Sequence, residues 1–121
     1  MDFVIEPDSK NQIIRVKTAC LLTQDKRKLI LLEITRQLNI TGFSKVMIDL
    51  TESSFNPDEP MTGALELTNF LRSLGIQPHV KFAFIYSGAE SHRKYFENVA
   101  QSDGFNLRYF NSLNKAVLWL E

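Results

Sequence analysis

Two polar side chains stand where apolar segments of the chain end, and these are positions at which an enzyme or a phosphate acceptor could work. Asp49 lies near the end of the apolar segment 45–50, and Ser87 follows the next such segment, 81–86. Asp49 could serve as a receiver-like phosphoacceptor, or act with Ser87 in a small enzyme. Residues 109–111, Tyr-Phe-Asn, supply no lysine to compensate the charge of an acyl phosphate. The missing lysine argues against the receiver-like mechanism. We expect no enzymatic activity, because the glycine-based catalytic motifs are missing as well, and keep the Asp49 mechanisms as an alternative.

Glycine-based catalytic motifs are missing from the sequence. There is no GxGxxG, no GxxxxGK[ST] and no GxSxG. Such motifs need glycine because backbone amides must approach a phosphate or an oxyanion closely. His79 and His92 lack metal-ligand spacing, and Cys20 is the only cysteine. The sequence therefore predicts no cofactor and no metal site.

The composition predicts one globular domain over residues 1–121. Hydrophobic residues make up 44% and charged residues 23%, and fourteen basic side chains balance fourteen acidic ones. This balance gives no field that would attract nucleic acid. A single cysteine fits a reducing compartment, and no leader-like or membrane-length apolar run is present. We expect a cytoplasmic protein without membrane insertion.

Polar side chains gather after two predicted strands and at the start of one predicted helix. In open α/β sheets, ligands bind beyond the carboxyl ends of the parallel strands. The alternative is that these residues only cap turns and helix ends. The candidates are Asp49, Thr51, Ser53, Ser54, Thr62, Gly63 and Ser87.

The elements that must position these residues begin with a predicted hairpin. It pairs residues 3–5, ended by Pro7-Asp8-Ser9, with residues 13–17. A helix is predicted from about Asp25 to Leu38, ending before Gly42. Its predicted core-facing stripe contains Leu29, Ile30, Leu32, Ile34 and Leu38.

The rest of the chain alternates strands and helices. Strands are predicted at 45–50, 81–86 and 105–110, and helices at about 62–74, 90–103 and 113–120. The order β-β-α-β-α-β-α-β-α implies parallel pairing through right-handed crossovers. We predict an α/β fold with one mostly parallel sheet of four to five strands, an antiparallel N-terminal edge strand and about four helices.

Several of these segments together resemble the STAS, or SpoIIAA-like, family of anti-sigma-factor antagonists and its CRAL-TRIO-like relatives. The resemblance spans nearly the whole chain. It is carried by the opening hairpin, by strands 45–50 and 81–86, by the loop into Thr62-Gly63-Ala64-Leu65, and by the ending 115–120, Lys-Ala-Val-Leu-Trp-Leu. That ending is similar to the close of uncharacterised bacterial SpoIIAA-like proteins. The resemblance implies a regulatory domain that binds another protein.

The segment before the second helix departs from the family pattern. Family members with a sigma-factor role carry a phosphorylatable serine in an Asp-Ser-Ser-Gly segment, whereas residues 60–63 here are Pro-Met-Thr-Gly. Met61 therefore falls where that serine would be, with the hydroxyl of Thr62 beside it. The resemblance thus implies an interaction module without the usual phosphoserine switch, in which Phe55 and Leu65 are candidate contacts.

Other partners stay open at this point. Nine phenylalanines, together with the CRAL-TRIO-like relatives, raise the alternative of an apolar small molecule or lipid as ligand. Phenylalanine in a small core is the competing explanation. An exposed N-terminal edge strand would also suit a homodimer.

Overall fold

A single five-stranded sheet organises the chain in the computed structural model, which describes residues 3–54, 62–86 and 91–121, without the side chains of 62–64, 91–93 and 95. The order of elements is the predicted one. The elements are β1 (Phe3–Asp8), β2 (Ile13–Thr18), α1 (Gln24–Thr41), β3 (Lys45–Asp49), α2 (Thr62–Ser73), β4 (Lys81–Ile85), α3 (Ser91–Ser102), β5 (Asn106–Phe110) and α4 (Leu113–Leu120).

The strands lie side by side in the order of the chain, β1-β2-β3-β4-β5. β1 is antiparallel to β2, and every other pair is parallel. Ile14, Val46, Phe82 and Leu107 form one lateral row, and all four are almost completely buried. The predicted fold class, including the antiparallel N-terminal edge strand and the interior positions of β3 and β4, is confirmed.

Three helices cover one face of the sheet and one helix covers the other. The core on the first face joins buried side chains of α1, α2 and α3 to the row that contains Ile14. On the opposite face, Ala116 and Leu120 of α4 pack on Ile13, Met47, Ala83 and Ile85. The three crossovers all advance in the same direction, so one crossover hand places α1 to α3 on the same face.

The predicted core stripe of α1 is partly wrong. Ile30, Ile34 and Leu38 are buried as expected, but Leu31 takes the fourth buried position, and Leu29 and Leu32 face solvent. A helix lying on a flat sheet buries only one side, so leucines on the other side stay in water. The helix begins after the cap Thr23 and ends at Gly42, whose φ of 75° suits a residue without a side chain.

The first strand is longer than predicted, because it continues through Pro7 to Asp8. Proline is tolerated here because β1 is an edge strand with a partner on one side only. Asp8 then closes the hairpin: its carboxylate accepts hydrogen bonds from the Asn11 side chain and from Arg15 Nε, both at 3.0 Å. These bonds, the one from Asn11 first, lower the pKa of Asp8 from 3.8 to about 2.

The remaining helices follow their apolar spacing. Leu67 and Leu71 of α2 are buried, and Phe96 and Ala100 of α3 are buried against the same core. Ser112 caps α4, its hydroxyl accepting from Lys115 N at 3.5 Å. Within the described ranges, no helix has the length and apolar character that crossing a membrane requires.

Candidate functional site

The loops that leave β2 and β3 are joined to each other by a hydrogen bond between two hydroxyls, one buried and one half-buried. The Thr18 side chain is completely buried at the end of β2, and its Oγ1 lies in a short hydrogen bond with Ser53 Oγ. Thr18 Oγ1 also donates to Asp49 O at 3.4 Å, and Ser53 Oγ accepts from Cys20 N at 3.5 Å. The predicted residue Ser53 therefore fastens one loop to the other.

Backbone hydrogen bonds extend the pairing of these loops beyond the strands. Ser54 N donates to Cys20 O at 3.0 Å, and Leu22 N donates to Ser54 O at 2.9 Å. This makes an isolated parallel bridge between Leu21 and Ser54. The predicted candidate Ser54 is thus held through its main chain.

The carboxylate of Asp49 is engaged by its own turn. Asp49 Oδ1 accepts from Thr51 N at 2.9 Å and from Thr51 Oγ1 at 2.6 Å. An aspartate that bonds the backbone two residues ahead is a turn-forming arrangement. Lys17 and Glu52 pair beside it, with 3.4 Å between Nζ and Oε1. Asp49 and Thr51, both predicted as candidates, are therefore brought together in the turn-capping role that the sequence left open.

We call the edge of the sheet at the carboxyl ends of β2 to β5, together with the loops that follow these strands and the helix starts they lead to, the rim. The order of the strands limits where a ligand crevice can form on this rim. Such a crevice opens where two neighbouring crossovers leave to opposite faces of the sheet. The exits of β2 and β3 both lead to helices on the same face. The exits of β4 and β5 do diverge, toward α3 and α4, but Ser87 lies there in the segment 87–90, outside the described residues. The described candidates Asp49, Thr51, Ser53 and Ser54 thus lie at the end of β3 and in the loop after it, where neighbouring crossovers do not diverge.

A second contact, which sequence reasoning missed, joins the beginnings of α1 and α2. Lys28 Nζ lies 2.5 Å from Glu66 Oε1, and Gln24 Nε2 donates to Glu66 Oε2 at 3.3 Å. Lys28 Nζ also stands 5.8 Å from the centre of the Phe70 ring. The hydrogen bond from Lys28 lowers the pKa of the Glu66 carboxyl. No local pattern could reveal this pair, because its partners are 38 residues apart in sequence.

Two leucines near these contacts are about half exposed. Leu65, predicted as a contact residue, is 49% exposed, and Leu21, which was not predicted, is 50% exposed. Leu21 stands three residues before Gln24, whose side chain contacts Glu66, the neighbour of Leu65. The only sequence signal for Leu21 was a pair of leucines after β2, of which Leu22 is buried.

The structure does not describe the side chains of the other predicted residues. Thr62 and Gly63 lie in the first turn of α2, where only their backbone is described. Phe55 and Met61 lie outside the described residues. Among the described residues, no three His, Cys, Asp or Glu side chains are grouped closely enough to hold a metal ion.

Comparison with known proteins adds no relative: the sequence matches no model of a protein family and no curated protein.

Proposed function

We propose that the chain is a non-enzymatic regulatory module, STAS-like in kind and without the usual phosphoserine switch, that binds another protein at the beginnings of α1 and α2. The observation that carries this proposal is the contrast at the rim between polar and apolar groups. Asp49 and Ser53 are bonded to neighbouring loop residues, whereas Leu21 and Leu65 are exposed by about half. The Gln24–Glu66 contact joins the two segments that carry these leucines, and exposed apolar side chains on such a surface are candidates for contact with a partner.

The hydrogen bonds that Asp49 and Ser53 form within the loops support a non-enzymatic role. A catalytic carboxylate or hydroxyl must reach the reacting atoms of a substrate. Asp49 Oδ1 is held by Thr51, and Ser53 Oγ is shared between Thr18 and Cys20. Both groups therefore stabilise the loops on which they stand.

The resemblance to the STAS family is part of the same proposal. The order of elements and the single mixed sheet agree with the fold that this resemblance implies. The cytoplasmic location belongs to the proposal too, and the free Cys20, partly buried beside the core, is compatible with it. The absence of a phosphoserine switch rests on Met61 in the sequence.

The alternative of an apolar ligand receives no specific support from the phenylalanines. Five of them are buried in the core, namely Phe3, Phe82, Phe84, Phe96 and Phe105. Phe43, Phe70 and Phe110 pack at its margins. These side chains fill the space between helices and sheet, which is the ordinary use of phenylalanine.

Two leucine variants and a matched control test the proposed interface. Leu21→Asp and Leu65→Asp place a charge at the rim, and Leu118→Asp places one on α4, where Leu118 is 68% exposed on the other face of the sheet. We expect proteins captured from native cells by the unmodified chain to be retained by Leu118→Asp and lost by both rim variants. Equal capture by all four proteins would refute the interface.

A further inference from the structure

The outer side of α1 carries an apolar stripe that the sheet does not use. Leu29, Leu32 and Ile40 are 47%, 49% and 69% exposed. At about 100° per residue, they fall with Glu33 and Arg36 within an arc of roughly 100°, opposite the buried side of the helix. We call these five residues the outer α1 stripe. A surface helix normally carries charged and polar residues on the side opposite the core, and α1 carries three large apolar side chains there instead.

The charges within the outer α1 stripe are arranged symmetrically. Glu33 and Arg36 stand at its centre, with 3.3 Å between Arg36 Nη2 and Glu33 Oε2. Leu29 precedes Glu33 by four residues, and Ile40 follows Arg36 by four. When the helix is reversed, Leu29 therefore coincides with Ile40 and Glu33 with Arg36, while Leu32 coincides with Gln37. This pattern complements itself in the antiparallel sense, whereas a parallel pairing would set Glu33 against Glu33 and Arg36 against Arg36.

We propose that the outer α1 stripe binds the same stripe on a second copy of this chain, with the two α1 helices antiparallel. Glu33 of each copy then faces Arg36 of the other, and Leu29 faces Ile40 at both ends. A contact in which the same patch is used twice is the usual geometry of a twofold dimer. Burial of the leucine and isoleucine side chains drives association, and the central charges set its direction.

The size of the surface implies weak association. α1 has 18 residues and is therefore about 27 Å long, so one of its sides is small beside the roughly 800 Å² per partner of a stable interface. We expect a dimer that forms and dissociates rapidly and that depends on concentration. This surface differs from the edge of β1, through which the sequence suggested a homodimer, and from the rim proposed to bind another protein.

Charge-reversal variants distinguish attraction between two copies from the Glu33–Arg36 ion pair within one helix. Glu33→Arg leaves two positive charges at the centre of the stripe, and Arg36→Glu leaves two negative ones. Each variant alone should be repelled by its own copy. An equal mixture should associate, because one copy then presents two cations to the two anions of the other. The attraction within a single helix is lost in both variants, so it cannot account for recovery on mixing.

Sedimentation equilibrium over roughly 10 µM to 1 mM, the range in which small interfaces associate, provides the test. We expect the mass of the unmodified chain to rise from 13.9 kDa toward twice that value, each variant alone to stay near 13.9 kDa, and the mixture to recover the rise. Leu118→Asp, on α4, should behave like the unmodified chain. A constant 13.9 kDa for the unmodified chain, association of either variant alone, or no recovery in the mixture would each overturn the proposal.

Discussion

Glu97 on α3 accepts a hydrogen bond from the backbone amide of Tyr109 on β5, with 2.7 Å between Oε2 and N. One helical turn later, Gln101 Nε2 donates to Leu107 O at 2.9 Å. The carbonyl of Leu107 and the amide of Tyr109 point away from β4, toward the outer edge of the sheet. Two side chains of α3 thus satisfy backbone groups that would otherwise be open to another strand. Unpaired edges of this kind lead to aggregation unless they are covered.

Removing the Glu97 carboxylate should therefore affect both stability and solubility. We expect Glu97→Ala to lower the free energy of unfolding by about 1–2 kcal/mol, since a partly buried amide loses its acceptor. Its β5 edge should also aggregate faster than that of the unmodified chain. Urea denaturation and light scattering measure the two effects. Glu97→Gln keeps an acceptor and should recover most of the loss, and Lys94→Ala, on the same helix, should change little. Identical behaviour of Glu97→Ala and Lys94→Ala would contradict the proposed cover.

The Thr18–Ser53 pair should contribute measurably to stability because Thr18 is fully buried. Ser53→Ala leaves the Thr18 hydroxyl with only the longer bond to Asp49 O, and we expect a loss of about 1–2 kcal/mol in the free energy of unfolding. The neighbouring Ser54→Ala removes an exposed hydroxyl and should stay within about 0.5 kcal/mol of the unmodified chain. Chemical denaturation compares the two.

A double-mutant cycle isolates the contribution of this hydroxyl pair. Thr18→Val and Ser53→Ala combined should cost less than the sum of the single changes, by about 1 kcal/mol, because either substitution alone already breaks the shared bond. Strict additivity would show that the two hydroxyls act independently.

Asp8 should make the protein sensitive to acid. Its pKa is lowered from 3.8 to about 2 in the folded chain, chiefly by the hydrogen bond from the Asn11 side chain and then by that from Arg15. The unfolded chain therefore binds a proton at a higher pH than the folded chain, and stability falls as the pH drops from about 4 to about 2. We expect Asp8→Asn to lose less stability over that interval, and Asn11→Ala to lie between the two. Thermal unfolding at several pH values provides the measurement, and parallel curves for all three proteins would disprove the role of Asp8.

The sequence was most informative where local pattern alone decides structure. β3 and β4 are covered on both faces, so their continuous apolar segments identified them as interior strands. The stripe of α1 was harder, because leucines occur on both of its sides and only the position of the sheet determines which of them are buried. The extent of β1 also depended on context, since Pro7 is compatible with a strand only at an edge.

At the rim, too, contacts between residues close in sequence were predictable and contacts between distant residues were not. Asp49 and Thr51 are two residues apart, so their turn could be anticipated from sequence. The partners of Ser53 and Lys28 lie 35 and 38 residues away, and only the pairing of β2 with β3 and the packing of α1 on α2 bring them together. The hydroxyls of Thr51 and Ser53, which the sequence suggested for regulation, form hydrogen bonds that stabilise these loops.

The agreement between strand order and chain order bears on how the molecule assembles. Each new strand docks against the one that precedes it, so no pairing has to wait for a segment from the far end of the polypeptide. Only the β1–β2 hairpin is local, however, because the parallel partners Ile13 and Lys45, Lys45 and Lys81, and Lys81 and Asn106 are separated by a whole crossover. Parallel pairing of this kind closes long loops and slows folding, so each crossover helix has to pack on the sheet before the next strand pairs.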